Sequence, residues 1–144
     1  MAVLFVLFGS CLLCRLLGFA LVPPLDSWMV SARVALATMF LFTATSHFAP
    51  MKKDLIAMVP PALPRPDVLV FLTGLAELAG AVGLLIPSTT RSAAAGLIVL
   101  LAAMLPANIS AARRGVLLRG RPATSLWLRV PMQLLLIAWA WAIR

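Results

Sequence analysis

Glu77 is the residue in this sequence whose position most demands a chemical explanation. It is the single charge in the apolar run 68–86, about ten residues from either end. An ionisable side chain at the centre of a membrane helix carries an insertion penalty of about 2.5 kcal/mol or more, so it is protonated, paired, or both. Two readings follow. Glu77 is either a buried carboxylate that bonds a neighbouring arginine and locks helix packing, or a group that handles a proton or a ligand.

Other polar residues fall where helical counting lets them join it. His47, the sole histidine, ends the run 28–48, and Asn108 lies near the end of the run 92–112. Arg129 and Gln133 are i, i+4 neighbours early in the run 125–143. Arg33 begins near the opposite face and reaches Glu77 only by pointing down its own helix. Pro106 and Pro131 each remove a backbone N–H and free the carbonyl four residues earlier, at Ala102 and Trp127. In a bilayer those carbonyls need substitute donors, which either marks a polar cavity served by Asn108 and Gln133 or reflects kinks that serve packing alone.

Two further features are weighed against simpler explanations. Cys11 and Cys14 have the C-x-x-C spacing of dithiol redox sites beside Arg15, but they sit mid-helix, where cysteines ordinarily act as small hydrophobes. His47 with Met51 and Met58 has the residue types of a His/Met haem or copper site, whereas a helix-end histidine that simply hydrogen-bonds is the default. Bis-histidine haem is excluded within one chain, and no metal site is expected. Nor is there a P-loop, dinucleotide fingerprint, zinc-protease motif or nucleophile elbow, so the sequence does not read as an enzyme that acts alone.

The elements that must position these groups are membrane helices. The 144 residues are 63% hydrophobic and 11% charged, against about 25% charged in soluble domains, with a mean hydropathy of +1.08. Spans of about 20 apolar residues are expected at 2–22, 28–48, 68–86, 92–112 and 125–143, in one membrane domain, 1–144. The runs are too long and too uniformly apolar for barrel strands. The first run is interrupted by Arg15 and has neither a basic start nor a convincing cleavage site, so it reads as a retained helix rather than a signal peptide.

The net charge of +8 belongs to the connections rather than to a nucleic-acid face. Lys52, Lys53, Arg65, Arg113, Arg114, Arg119 and Arg121 fall in the 49–67 and 113–124 loops, on the side of the N-terminus. The opposite side carries Asp26, Arg91 and Arg144. The positive-inside rule therefore predicts a plasma (inner) membrane protein with the N-terminus cytoplasmic and the C-terminus outside. Trp28, Trp127, Trp139 and Trp141 lie at span ends, where headgroup-level rings are expected. The 49–66 loop, with Lys52, Lys53, Leu55, Ile56, Met58 and prolines at 60, 61, 64 and 66, reads either as a short amphipathic turn on the inner surface or as a solvated spacer.

Several ordered motifs carry a family likeness: Phe42-Thr43-Ala44-Thr45-Ser46-His47-Phe48, Met58-Val59-Pro60-Pro61-Ala62-Leu63-Pro64, Leu72-Thr73-Gly74-Leu75-Ala76-Glu77 and Gly83-Leu84-Leu85-Ile86-Pro87. Leu105-Pro106-Ala107-Asn108-Ile109 and Arg129-Val130-Pro131-Met132-Gln133 complete the set. From Arg33 to Trp141 the chain resembles the DoxX-like family of small bacterial membrane proteins. The resemblance implies an all-α four-helix core with the first helix as an addition, and it maps the family's polar positions onto Arg33, His47, Glu77, Asn108, Arg129 and Gln133. It also implies membrane redox chemistry, since members include subunits of thiosulfate:quinone oxidoreductase and of a complex detoxifying thiols and radicals. A related branch contains a receptor-assembly chaperone.

Three functions therefore compete. One is a redox-system subunit that binds a quinone or similar amphipathic molecule in a pocket around Glu77 and works with a membrane or cytoplasmic redox partner. Another is a non-catalytic assembly factor whose small residues, Gly80 and Gly83 among them, dock a partner or a second copy. A proton-coupled carrier is the third, and the absence of inverted repeats in the sequence speaks against it.

Overall fold

The computed structural model describes residues 2–48, 51–118, 120–122 and 124–144. It is all-helical apart from one tiny hairpin: α1 (Ala2–Ala20), α2 (Trp28–Phe48), α3 (Lys52–Met58), α4 (Pro66–Leu85), α5 (Thr90–Arg113), β1 (Leu117–Leu118), β2 (Arg121–Pro122) and α6 (Leu126–Ala142). Four helices, α1, α2, α4 and α5, are long and apolar enough to cross a membrane, and α6 is a shorter apolar helix of 17 residues. Phe5, Phe19 and Trp127 are 77%, 87% and 92% exposed. Lipid chains satisfy such an exterior, whereas water would meet a far larger apolar patch than soluble proteins tolerate.

Local chemistry sets the helix ends. α4 opens with Pro66, whose fixed φ suits the first turn, and Pro87 lies just beyond its last residue. The hydroxyls of Thr89 and Thr90 donate to the orphan carbonyls of Gly83 (2.9 Å) and Leu84 (3.2 Å), so the α4–α5 corner caps itself. Between α1 and α2 a 3₁₀ turn, Pro23–Asp26, is tied down by Ser31, which donates to Leu25 O at 2.6 Å. α5 and α6 run continuously through Pro106 and Pro131.

α2 is the hub. It packs along α4 on one side and α1 on the other, while α4 meets α5 and α5 meets α6. Arg33 and Trp139 close the ring from α6 back to α2: Arg33 Nε donates to Ile143 O (3.2 Å) and Trp139 Nε1 donates to Ala32 O (3.1 Å). α1 lies outside this ring, and its Phe8 meets Trp139 edge-on at 5.6 Å. Leu7, Leu36, Met39, Phe40, Leu84 and Leu97 fill the core. Apolar burial gives membrane helices no net drive toward one another, so tight packing by small residues carries the association.

The structure bears on three sequence features here. The 113–124 connection, read as a plain loop, contains the antiparallel pair β1–β2, in which Leu117 faces Pro122 and Leu118 faces Arg121. Arg119, one of the loop cations counted above, lies outside the described residues. Trp139, near the end of α6, donates its indole N–H to the Ala32 carbonyl of α2. Arg15 is not isolated in the first span: it reaches the 3₁₀ turn, with Nη1 3.1 Å from Asp26 Oδ1 and its guanidinium 4.4 Å above the Trp28 ring. Its Nε and Nη1 make no aligned hydrogen bond among the described residues, so this is an ion pair by distance only.

Gly18 shows how closely that turn folds back. A Cβ there would fall well inside 3.0 Å of the Leu25 and Asp26 backbone, whereas one at Gly9 in the same helix would meet nothing within 4 Å. Gly18→Ala is therefore expected to lower stability in detergent by about 1–3 kcal/mol. Gly9→Ala should be neutral or stabilising by up to about 1 kcal/mol. Thermal unfolding followed by circular dichroism checks the contrast.

Candidate functional site

Two i, i+4 pairs face each other across the antiparallel helices α2 and α4. α2 supplies Thr43 and His47, and α4 supplies Thr73 and Glu77. The pairs bond crosswise. Thr43 Oγ1 donates to Glu77 Oε2 at 2.8 Å, while Thr73 Oγ1 lies 3.3 Å from His47 Nδ1. His47 Nε2 and Glu77 Oε1 stand 3.5 Å apart on the diagonal, and both side chains are 5% exposed. That separation is within ion-pair range and long for a hydrogen bond, as catalytic contacts often are before a ligand arrives.

The protonation pattern follows from what each atom can do. His47 Nδ1 is 2.8 Å from Val70 O, and a carbonyl only accepts, so Nδ1 carries a hydrogen. A neutral ring protonated at Nδ1 has a bare lone pair at Nε2, which would point at a carboxylate. One further proton therefore belongs between Nε2 and Oε1, and the pair is either imidazolium with carboxylate or imidazole with carboxylic acid. Both forms are neutral overall, which answers the burial cost that made Glu77 conspicuous. Gly74 makes room for this arrangement: a Cβ there would stand 2.5 Å from His47 Cβ and 2.8 Å from its Cγ.

A second polar chain joins α5 and α6. Arg129 Nη1 donates to Asn108 Oδ1 (2.8 Å), Asn108 Nδ2 donates to Gln133 Oε1 (3.2 Å), and Gln133 Nε2 donates to Leu101 O. Arg129 Nε also donates to Thr124 O at 3.1 Å. Gln133 thus serves a backbone carbonyl beside the Pro106 interruption, one residue from the Ala102 carbonyl that the sequence singles out.

Two cavities lie beside these groups. One of about 200 Å³ is lined by His47 and Thr73 on one side, Asn108 and Ala107 on another, and Leu55 and Met58 of α3 above. A smaller one of about 80 Å³ is lined by Asn108, Arg129 and Gln133 with Met104 and Met132. Asn108 and Met104 border both. Glu77 lines neither; it stands behind His47, so the space opens beside the histidine rather than around the glutamate. A wide, largely apolar groove between α4 and α5 is larger but faces outward and holds none of these groups.

α3 covers the 200 Å³ cavity. Arg114 holds it there, with Nη2 donating to the carbonyls of Ala57 (2.8 Å), Met58 (3.0 Å) and Val59 (3.0 Å), and Nε donating to Ser110 Oγ (3.0 Å). A cation on the last carbonyls of a helix also suits its dipole. The amphipathic-turn reading of residues 49–66 thus corresponds to a real helix, although Ala49 and Pro50 lie outside the described residues.

Of the sequence-selected residues, the structure brings His47 and Glu77 together, and separately Asn108, Arg129 and Gln133. It does not bring Arg33 to either group, since that side chain holds the end of α6. Cys11 and Cys14 are buried free thiols, with Cys11 part of the core cluster. Among the described residues no three His, Cys, Asp or Glu groups gather as a metal site would require. Sequence reasoning missed Thr43, Thr73 and Arg114 as participants. A hydroxyl four residues before His47 and another four before Glu77 were the available signals for the first two. Gly80 and Gly83, expected to dock a partner, instead face α5, where a Cβ would strike Leu97 and Ala93.

The fold's ring of helices coincides with a known family. A family model described as "Domain of unknown function (DUF8561)" matches residues 36–144, from within α2 to the end of the chain, and leaves α1 outside. The chain belongs to this family. No curated protein and no solved structure matches it.

The crossed square makes Glu77 sensitive to chemistry more than to shape. Glu77→Leu strands His47 Nε2, while the Thr43 hydroxyl keeps the Phe40 carbonyl (3.1 Å), and is expected to reduce stability by about 3 kcal/mol. Glu77→Gln keeps a group that accepts from Thr43 and donates to Nε2, so its loss should stay near 1 kcal/mol. Equal losses in denaturant unfolding would show that the pair acts only by filling space.

Proposed function

We propose that this protein is a DoxX-like subunit of a membrane redox system, which binds a quinone or similar small amphipathic molecule in the cavity beneath α3. The observation that carries this reading is the contact between an apolar space of about 200 Å³ and a buried proton-holding pair. A cavity of about 150 Å³ suffices for benzene, so this space suits a substituted six-membered ring whose tail leaves toward lipid. It is small for a whole drug-sized molecule, which ordinarily occupies about 300 Å³ or more.

Quinone reduction takes two electrons and two protons. In this reading the electrons come from a partner redox protein. Asn108 supports the binding step, because its Nδ2 gives one hydrogen to Gln133 and has a second for a ligand carbonyl. The His47–Glu77 pair holds one proton at the cavity wall and in this reading supplies one of the two, the second entering from water at the α3 end. Lys52, Lys53, Arg65, Arg113 and Arg114 cluster at the α3 end of the bundle, which supports a cytoplasmic position for that end and for the cavity. The four-helix DoxX-like core corresponds in this reading to α2, α4, α5 and α6, with α1 as the addition.

Ala107→Phe, which fills the cavity from α5, tests the proposal. Purified protein titrated with a short-chain benzoquinone should bind it, and the variant should bind at least tenfold more weakly with unchanged helix content. Absence of binding to the parent protein, or equal binding to both, would refute the reading.

A further inference from the structure

The charge balance of the two cavities differs, and that difference specifies the ligand. Glu77 is matched by His47, with one proton between them. Arg129 has no such match. Among the described residues no carboxylate lies within ion-pair distance of its guanidinium, and its contacts are the neutral oxygens of Thr124 and Asn108.

Arginine has five N–H donors. Arg129 uses Nε and one hydrogen of Nη1, which leaves three with no protein acceptor among the described residues. The neighbouring amides do not compete for an incoming anion. Asn108 Oδ1 already accepts from Arg129, and Gln133 Oε1 from Asn108, so each amide oxygen is turned toward a protein donor. The partly buried cation borders the cavity of about 80 Å³. At about 30 Å³ per water in the liquid, that space equals two or three waters, the size of a carboxylate or of part of a phosphate. It adjoins the larger apolar cavity at Asn108 and Met104.

We infer that Arg129 is an anion-binding residue, and that the ligand of this protein is a mono-anionic amphipath with its acidic group on the Arg129 guanidinium and its apolar body in the cavity beneath α3. The planar fork suits carboxylate and phosphate oxygens alike. The shared chemistry is an oxyanion on an apolar body, whether it arrives as a free acid or as a lipid headgroup. The inference rests on the reading that the cavity beneath α3 binds a small amphipathic molecule, and it narrows that class to one with an acidic group, which a simple neutral quinone lacks.

Octanoate, octyl phosphate and octanol distinguish charge from apolar fit when titrated into the purified full chain. The parent protein should bind the two anions at least tenfold more tightly than the alcohol. Arg129→Gln should bring all three to the affinity of the alcohol, while Arg129→Lys should retain most of the preference for anions and shows that a change at this position need not unfold the helix pair. Native mass spectrometry from nanodiscs containing phosphatidylglycerol separates the sources: phosphatidylglycerol retained by the parent protein and lost in Arg129→Gln identifies a lipid headgroup, and octanoate binding without retained lipid identifies a free acid. Binding of octanol and octanoate with equal affinity by the parent protein would overturn this inference and leave the cavity reading intact. Failure of all three probes and of the benzoquinone would overturn both.

Discussion

A carboxylate and an imidazole buried between two membrane helices cannot be independent of each other, and the geometry of this protein follows from that constraint. Because His47 Nδ1 is committed to the Val70 carbonyl, its other nitrogen must share a proton with Glu77. That requirement fixes the register of α2 against α4. A slip of one residue along either helix would part Glu77 from His47, and neither ionisable group would have water to replace its partner. Gly74 allows the close approach, and Thr43 and Thr73 complete the square.

With α2 and α4 locked, the remaining parts acquire their roles. α5 and α6 close the ring and carry a second polar chain from Arg129 to the Leu101 carbonyl. Pro106 sits about a turn from that carbonyl, although the carbonyl it frees is that of Ala102 and the one Gln133 bonds is Leu101. α3 lies across the gap between the two polar groups and is held by Arg114 rather than by a deep apolar face of its own. The result is a rigid wall of paired groups on one side of a small space and a peripheral cover on the other. α1 stands apart from this machinery, and the family match begins beyond it.

Much of this was legible in the residues. Length and hydropathy mark every long helix to within a few positions, because about 20 apolar residues have few other destinations. Glu77 and His47 stand out because burial makes an ionisable group expensive, and Asn108, Arg129 and Gln133 because of their depth. Arg33 shared that logic and went elsewhere: helical counting gives depth along a helix but not the face, and its guanidinium found the free carbonyl of Ile143 first. Trp139 shows the same limit: its place near a span end is legible, but that its N–H reaches the Ala32 carbonyl is not. Thr43 and Thr73 gave a weaker signal, since a hydroxyl in a membrane helix ordinarily bonds its own backbone, and Thr73 does that as well. The bracing of α3 by Arg114 joins positions more than fifty residues apart, and no local pattern encodes it.

The proton arrangement at His47 is the claim on which the functional reading stands, and the chain contains only this one histidine. A ¹⁵N spectrum of histidine-labelled protein therefore reports the site without ambiguity. The account predicts a protonated Nδ1 in the parent protein and, in Glu77→Gln, a neutral ring that keeps Nδ1–H while Nε2 moves to the shift of a bare acceptor nitrogen. A ring protonated at Nε2 alone, with an unprotonated Nδ1, would contradict it.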